Sequence, residues 1–122
     1  MLCLRGDRYA GESICVHEFS HTIASYGLFE VDRSFERRLN TAFQTARDSG
    51  ILDRTYRREN IQEYWAEGVQ DWFGSNDWSD PPNGIHNEVN TRAELETYDP
   101  TLYALVADVF PEAVAWGECR EE

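Results

Sequence analysis

The spacing of apolar residues predicts an amphipathic helix over residues 13–26. One stripe of this segment is apolar at every fourth position and consists of Cys15, Phe19 and Ile23. Ser13 stands where an N-cap residue belongs, and Gly27 follows at a position where glycine often ends a helix. We therefore expect the stripe to be buried, with Cys15 acting as a small hydrophobic side chain.

A second helix is predicted from Asp32 or Ser34 to Ser49, because apolar residues again recur at helical spacing and Gly50 follows them. Its buried stripe consists of Phe35, Leu39, Ala42, Phe43 and Ala46. Residues 51–59 show no sustained period, and we interpret them as a connection that passes over the surface.

A third helix is predicted over residues 60–74, with Asn60 as its N-cap. Its apolar stripe consists of Ile61, Trp65, Val69 and Trp72. We interpret both tryptophans as core residues rather than as a platform for substrate. The polar residues on the opposite arc of the helix are Glu63, Glu67 and Gln70.

The rest of the chain is predicted to form a long loop and two short helices. Residues 75–90 are rich in Ser, Asn, Asp, Pro and Gly, and a loop of this length is a candidate functional segment. His86 lies in this loop, where it can contact substrate, stabilise charge near a metal or simply be exposed. A capping box at Thr91 and an Asp-Pro pair at 99–100 then predict helices, the last of which reaches Phe110.

Composition narrows the choice of partners. The chain has 122 residues and a net charge of −12, from 11 basic and 23 acidic side chains, and its length fits a single domain, residues 1–122. The negative charge argues against nucleic acid or an anionic membrane as a partner and suits a cationic substrate. No apolar run approaches the roughly 20 residues of a membrane span, and no signal peptide is recognised. Three cysteines allow one internal disulfide, for which Cys3 and Cys119 are candidates.

The first predicted helix contains an H-E-x-x-H motif at residues 17–21. Histidines four residues apart lie on one face of a helix, so His17 and His21 can bind the same metal ion. Glu18 then faces the attacking water, as the general base of a zinc hydrolase does. The motif predicts a Zn²⁺ site, although any amphipathic helix can carry these residues by chance.

A catalytic zinc ion needs three protein ligands, so one more must come from elsewhere in the chain. The metzincin pattern is excluded, because Ala24 and Gly27 stand where it requires Gly and His, and because Met1 is the only methionine. A carboxylate on another helix remains, and Glu63 and Glu67 are the best placed.

The residues around the third helix resemble those of the anthrax lethal factor-like zinc peptidases. In that family, as here, a tyrosine lies seven residues before a Glu that opens an E-aromatic-aromatic-A-E run, some forty residues after H-E-F-x-H. The matching residues of this chain are His17, Glu18, Phe19, His21, Tyr56, Glu63, Tyr64, Trp65, Ala66 and Glu67. The match covers residues 14–74, and the segment 84–110 is similar to secreted relatives of the same zincin type.

The resemblance implies a role for each polar residue of the match. His17, His21 and Glu63 would be the zinc ligands. Glu18 would be the general base, and Tyr56 would donate a hydrogen bond in the transition state.

The resemblance further implies that Glu67 orients a ligand histidine, that the substrate is a peptide or protein, and that the protein is extracellular. Taken without it, the residues leave other roles open. Glu63 can instead complete a capping box with Asn60, and Tyr56 can be a half-buried loop tyrosine.

We therefore expect a mainly α, zincin-like core of about four to five helices that acts as a zinc-dependent metalloendopeptidase. Only 12 residues precede the motif helix, so the sheet that normally lies upstream of it would be reduced or missing. Either the chain is a truncated fragment, which we favour, or residues 1–12 supply a minimal edge strand. The alternatives are a catalytically weak or inactive zinc-binding interaction module and a metal-free helical interaction protein.

Overall fold

The computed structural model describes Tyr9 and residues 11–112. The described residues are mainly helical and contain no β-strand, which confirms the predicted fold class. The helices are, in order, α1 (Ile14–Ile23), α2 (Phe29–Val31), α3 (Arg33–Asp48), α4 (Ile61–Trp72), α5 (Arg92–Tyr98) and α6 (Pro100–Ala107). Within these residues, no helix combines the length and apolar character needed to span a bilayer.

Helix α4 forms the centre of the core, and every residue from Tyr64 to Trp72 is buried. Trp65 and Trp72 are 0% and 1% exposed, so both are core residues as predicted. Helix α6 approaches α4 closely at Gly68, where a Cβ atom would lie only 2.7 Å from Cδ2 of Leu102. The absence of a side chain at this position therefore sets the distance between the two helices.

Helix α3 follows its prediction. Asp32 caps it by accepting hydrogen bonds from the backbone N–H groups of Ser34 and Phe35. The predicted stripe is buried throughout and comprises Phe35, Leu39, Ala42, Phe43 and Ala46. The Phe35 ring packs edge-on against Trp65, with 5.4 Å between the ring centroids. Gly50 follows the helix at φ +83°, a backbone conformation that favours glycine.

Helix α1 is capped by Ser13 as predicted, but its buried face is not the apolar stripe. Cys15 is exposed, and Phe19 is 64% exposed. The buried side chains of α1 are instead His17 and Ser20. The apolar prediction was wrong because α1 lies against the polar arc of α4, so that its histidine face points inward to meet that arc.

The motif helix also continues beyond its predicted end. The chain passes from α1 through a π-helical turn at Ala24–Leu28 directly into α2, and helical structure ends only before Asp32. Gly27 has no left-handed φ angle and therefore does not terminate the helix. The helical segment ends before Asp32, and the side chain of Asp32 caps the start of α3.

Residues 75–90 form a loop, as predicted. Backbone hydrogen bonds attach this loop to the start of α1 and to the 3-10 turn at Tyr56–Arg58. The backbone N–H of Ser13, at the start of α1, donates to the carbonyl of Ser75 at 2.8 Å. The backbone N–H of Tyr56 donates to the carbonyl of Ile85, also at 2.8 Å. The loop therefore closes one side of the region between α1 and the 3-10 turn at Tyr56–Arg58.

The last two helices begin where the sequence predicts. Thr91 forms a complete capping box at the start of α5, and Asp99 caps α6. Helix α6 ends at Ala107, slightly before the predicted Phe110. The candidate disulfide between Cys3 and Cys119 lies outside the described residues.

Candidate metal centre

Two histidines of α1 and one carboxylate of α4 converge at the junction of these helices. Nε2 of His17 lies 2.9 Å from Oε2 of Glu63, and Nε2 of His21 lies 3.5 Å from the same oxygen. All three potential ligand atoms lie within 4.8 Å of one another. The indole N–H of Trp65 donates to the carbonyl of Ser20 at 3.1 Å and holds the two helices together beside the histidines.

The donor set and its spacing fit a zinc ion. Two imidazoles and a carboxylate are a known catalytic zinc set, and tetrahedral ligands at the usual bond lengths lie about 3.3 Å apart. The 3.5 Å separation between His21 and Glu63 is already close to this value. The 2.9 Å separation between His17 and Glu63 needs to open by only a few tenths of an ångström.

The hydrogen bonds of His17 give a second reason for placing a metal ion here. Its Nδ1 lies 2.7 Å from Oε1 of Gln70, while its Nε2 faces Glu63. Both neighbours are acceptors, and a neutral imidazole can donate to only one of them. A metal ion between Nε2 and the carboxylate resolves this conflict, because Nε2 then offers its lone pair to the ion.

The orientation of Gln70 is fixed by its own partners. Its amide nitrogen donates to a carboxylate oxygen of Glu12 at 3.1 Å and to the carbonyl of Ser13 at 3.4 Å. The amide oxygen must therefore face His17, which sets the Nδ1–H tautomer. Gln70 is fully buried and holds the histidine ring with Nε2 toward the proposed metal position.

The carboxylate of Glu63 does not take part in a capping box. Its backbone N–H donates to the side chain of Asn60 at 2.9 Å, which is the N-cap bond. The carboxylate itself contacts both histidines. The two roles that the sequence left in competition are thus divided between the backbone and the side chain.

Glu67 lies near His17 but does not orient its ring as the resemblance implied. Its Oε1 is 3.8 Å from Nδ1 of His17, which is too long for a hydrogen bond. Gln70 occupies that position instead. The other oxygen of Glu67 accepts a hydrogen bond from the amide of Asn76 at 2.8 Å.

A buried ion pair lies next to Glu67, on the side of the site away from solvent. Nη1 of Arg57 donates to Oδ2 of Asp71 at 2.9 Å, and both side chains are fully buried. Asn76 donates to Asp71 as well as to Glu67, which links the pair to the candidate metal centre. Burial raises the pKa of Asp71 to about 7, and the charge of Arg57 opposes that rise.

Glu18 and Tyr56 both line a cleft of about 580 Å³ beside His17. Glu18 is exposed, so its carboxylate is accessible from solvent. The Tyr56 ring stacks on His17 with a centroid distance of 6.2 Å, and the residue is 39% exposed. Desolvation, the charge of Glu63 and a hydrogen bond donated to Glu63 raise the pKa of the Tyr56 hydroxyl.

His86 lies in the same cleft rather than exposed at the tip of its loop. Its side chain is 11% exposed, and Nε2 is 3.7 Å from Oε2 of Glu12. The structure therefore brings all seven predicted site residues to one region, which comprises His17, Glu18, His21, Tyr56, Glu63, Glu67 and His86.

Gln70, Arg57 and Asp71 complete the site but were given no role from the sequence. Gln70 follows Glu63 by seven residues, which places both on one face of α4, and this spacing is the signal that could have identified it. Arg57 sits next to Tyr56 in a polar connecting segment, and no pattern there indicates that its side chain is buried. Comparison with known proteins found no matching family model, curated protein or solved structure.

Proposed function

We propose that this protein is a zinc-dependent peptide hydrolase. The proposal rests on one observation: the potential ligand atoms of His17, His21 and Glu63 lie within 4.8 Å of one another. Glu18 and Tyr56 line the cleft that adjoins these atoms. A structural zinc site has no use for an accessible carboxylate between its two histidines, whereas a hydrolase requires one.

The residues divide the reaction between them. Zinc held by His17, His21 and Glu63 would supply a Lewis acid that makes water acidic near neutral pH and polarises the peptide carbonyl. Glu18 takes a proton from the attacking water as the oxygen–carbon bond forms. It then passes this proton to the leaving amine as the carbon–nitrogen bond breaks. The Tyr56 hydroxyl donates to the oxygen that becomes negative in between.

The test compares purified wild type with Glu18→Gln in zinc content and in cleavage of a fluorogenic peptide library. Glu30→Gln, at an exposed position on α2, is the matched control. We expect one zinc ion per chain in all three proteins, and chelator-sensitive cleavage in wild type and the control only. Wild type without stoichiometric zinc would contradict the proposal at its first step.

A second candidate is a zinc-binding interaction module without turnover. It is favoured by exposed apolar side chains on the helical segment that carries the motif, since Phe19 is 64% and Tyr26 is 83% exposed. The described residues also include no strand that could pair with an extended peptide. Full zinc occupancy, together with equal residual activity in wild type and Glu18→Gln, would establish this candidate instead.

A further inference from the structure

We propose that the cleft beside His17 contains a subsite for a positively charged group of the substrate, built from Glu12, Glu67 and Asp77. This inference rests on the proposed function, because it names the class of peptide that the same cleft accepts. All three carboxylates line the cleft. The three carboxylates differ in exposure. Asp77 is exposed, Glu12 is partly buried, and Glu67 is 1% exposed.

Glu67 is the observation that points to a ligand. Its Oε1 is buried and has no hydrogen-bond partner. A carboxylate oxygen of Glu67 also lies within 4.8 Å of a carboxylate oxygen of Glu12. Two carboxylates this close repel each other, and a cation that reaches them offsets the repulsion and gives the unpaired oxygen a partner.

A second metal ion is a poor occupant of this position. The third member of the group would be His17, and its remaining nitrogen, Nδ1, is already hydrogen-bonded to Gln70 at 2.7 Å. Without that nitrogen, only the carboxylates of Glu12 and Glu67 remain as side-chain ligands in this group. An ammonium or guanidinium group needs acceptors of this kind and no fixed coordination geometry.

The described residues around the cleft supply only part of the opposing charge. Arg57 lies 3.8 Å from Oε2 of Glu67 and 2.9 Å from Asp71, so two carboxylates share its single charge and Oε1 of Glu67 is not its partner. His86 approaches Glu12 at 3.7 Å and carries a charge only when protonated. No Lys or Arg is among the described residues that line the cleft.

The walls of the cleft suit the stem of a basic side chain. Tyr9, Ile14 and Ile85 line it together with the carboxylates. Long basic side chains bury their methylene groups on apolar surface while the charged end reaches polar partners. The charged group can come from such a side chain or from the free amino terminus of a peptide, and the two sources share the same recognition chemistry.

The experiment measures peptide binding to zinc-loaded Glu18→Gln, which retains the ligands and lacks the base. The probes are acetylated peptides of equal length with lysine or norleucine scanned through each position. The same norleucine peptides with a free amino terminus form the other arm. We expect one lysine position, or the free amino terminus, to bind roughly tenfold more tightly than its neutral counterpart.

Glu12→Gln and Asp77→Asn, each added to Glu18→Gln, should abolish that preference, while Glu59→Gln at an exposed position should retain it. Glu12→Gln keeps an oxygen that can accept from Gln70, so the metal centre is not disturbed. Equal binding of charged and neutral peptides would overturn the subsite and leave the proposed function standing. A wild type that shows no zinc-dependent hydrolysis would overturn both.

Discussion

Replacement of Gln70 by methionine tests whether the hydrogen bond to His17 controls metal binding. The two side chains are similar in volume, so the change removes polar groups without opening a large cavity. It deletes the acceptor that lies 2.7 Å from Nδ1 of His17 and the donor that faces Ser13 and Glu12. The imidazole then loses the contact that fixes its tautomer and the direction of Nε2.

The expected loss is largest in zinc affinity. Removal of a partner that orients a ligand histidine typically weakens metal binding about 10- to 100-fold, or about 1.4 to 2.8 kcal/mol. Gln70 is fully buried, so the change also leaves the carbonyl of Ser13 with one partner fewer. We expect the metal-free protein to lose about 1 to 3 kcal/mol of stability for that reason.

Zinc affinity can be measured by competition with a chromophoric chelator, and stability by urea denaturation with chelator present. Gln62→Met is the matched control, because Gln62 is an exposed residue of the same helix. Its zinc affinity should equal that of wild type. If Gln70→Met folds and binds zinc within twofold of wild type, the hydrogen bond to His17 has no part in positioning the ligand.

Three other comparisons test separate parts of the structure. Glu63→Ala should lose bound zinc, measured by metal analysis after dialysis, far more than Glu67→Ala, and the reverse ranking would overturn the ligand assignment. Burial raises the pKa of Asp71 to about 7, against about 3.9 in an unfolded chain. Its contribution to stability is therefore complete below about pH 4 and lost as the pH rises through about 7. Wild type should accordingly lose stability in urea relative to Asp71→Asn over that range, and a constant difference would refute the shift. Gly68→Ala should destabilise by about 1 to 3 kcal/mol because its Cβ would meet a buried leucine of α6 at 2.7 Å. Gly27→Ala, which meets nothing within 4 Å, should instead stabilise by up to about 1 kcal/mol in thermal unfolding.

The sequence was a sufficient guide wherever burial follows hydrophobicity. Helix α3 is the clear case, because one side of it is apolar and that side alone meets the core. The caps at Ser13, Asn60 and Thr91 were also predictable, since each bond forms within a few residues of sequence. Local chemistry was enough at these positions.

The same reasoning failed on α1, where burial follows polar complementarity between distant segments. His17 is buried against Glu63 and Gln70 of α4, and the Ser20 carbonyl accepts a hydrogen bond from the indole of Trp65 on the same helix. Periodicity in α1 carries no information about these partners. The sequence still named the two histidines that converge with Glu63, because the spacing of the motif places them on one face of the helix whichever face is buried. The buried Arg57 went unnoticed because its partner Asp71 becomes a neighbour only after α4 has packed.

The polar attachment of α1 would link zinc binding to the stability of the helix that carries the two histidines. His17 meets α4 through Gln70 and Glu63, and the indole of Trp65 holds the carbonyl of Ser20. These contacts occupy the side of α1 that an ordinary amphipathic helix would fill with apolar residues. A ligand that binds only the folded state stabilises it, so zinc that joins both histidines to Glu63 would strengthen the docking of α1. A structural and a catalytic role of bound zinc would therefore be compatible here, and zinc-dependent stability alone would not distinguish a hydrolase from a binding module. Only the dependence of turnover on Glu18 separates the two.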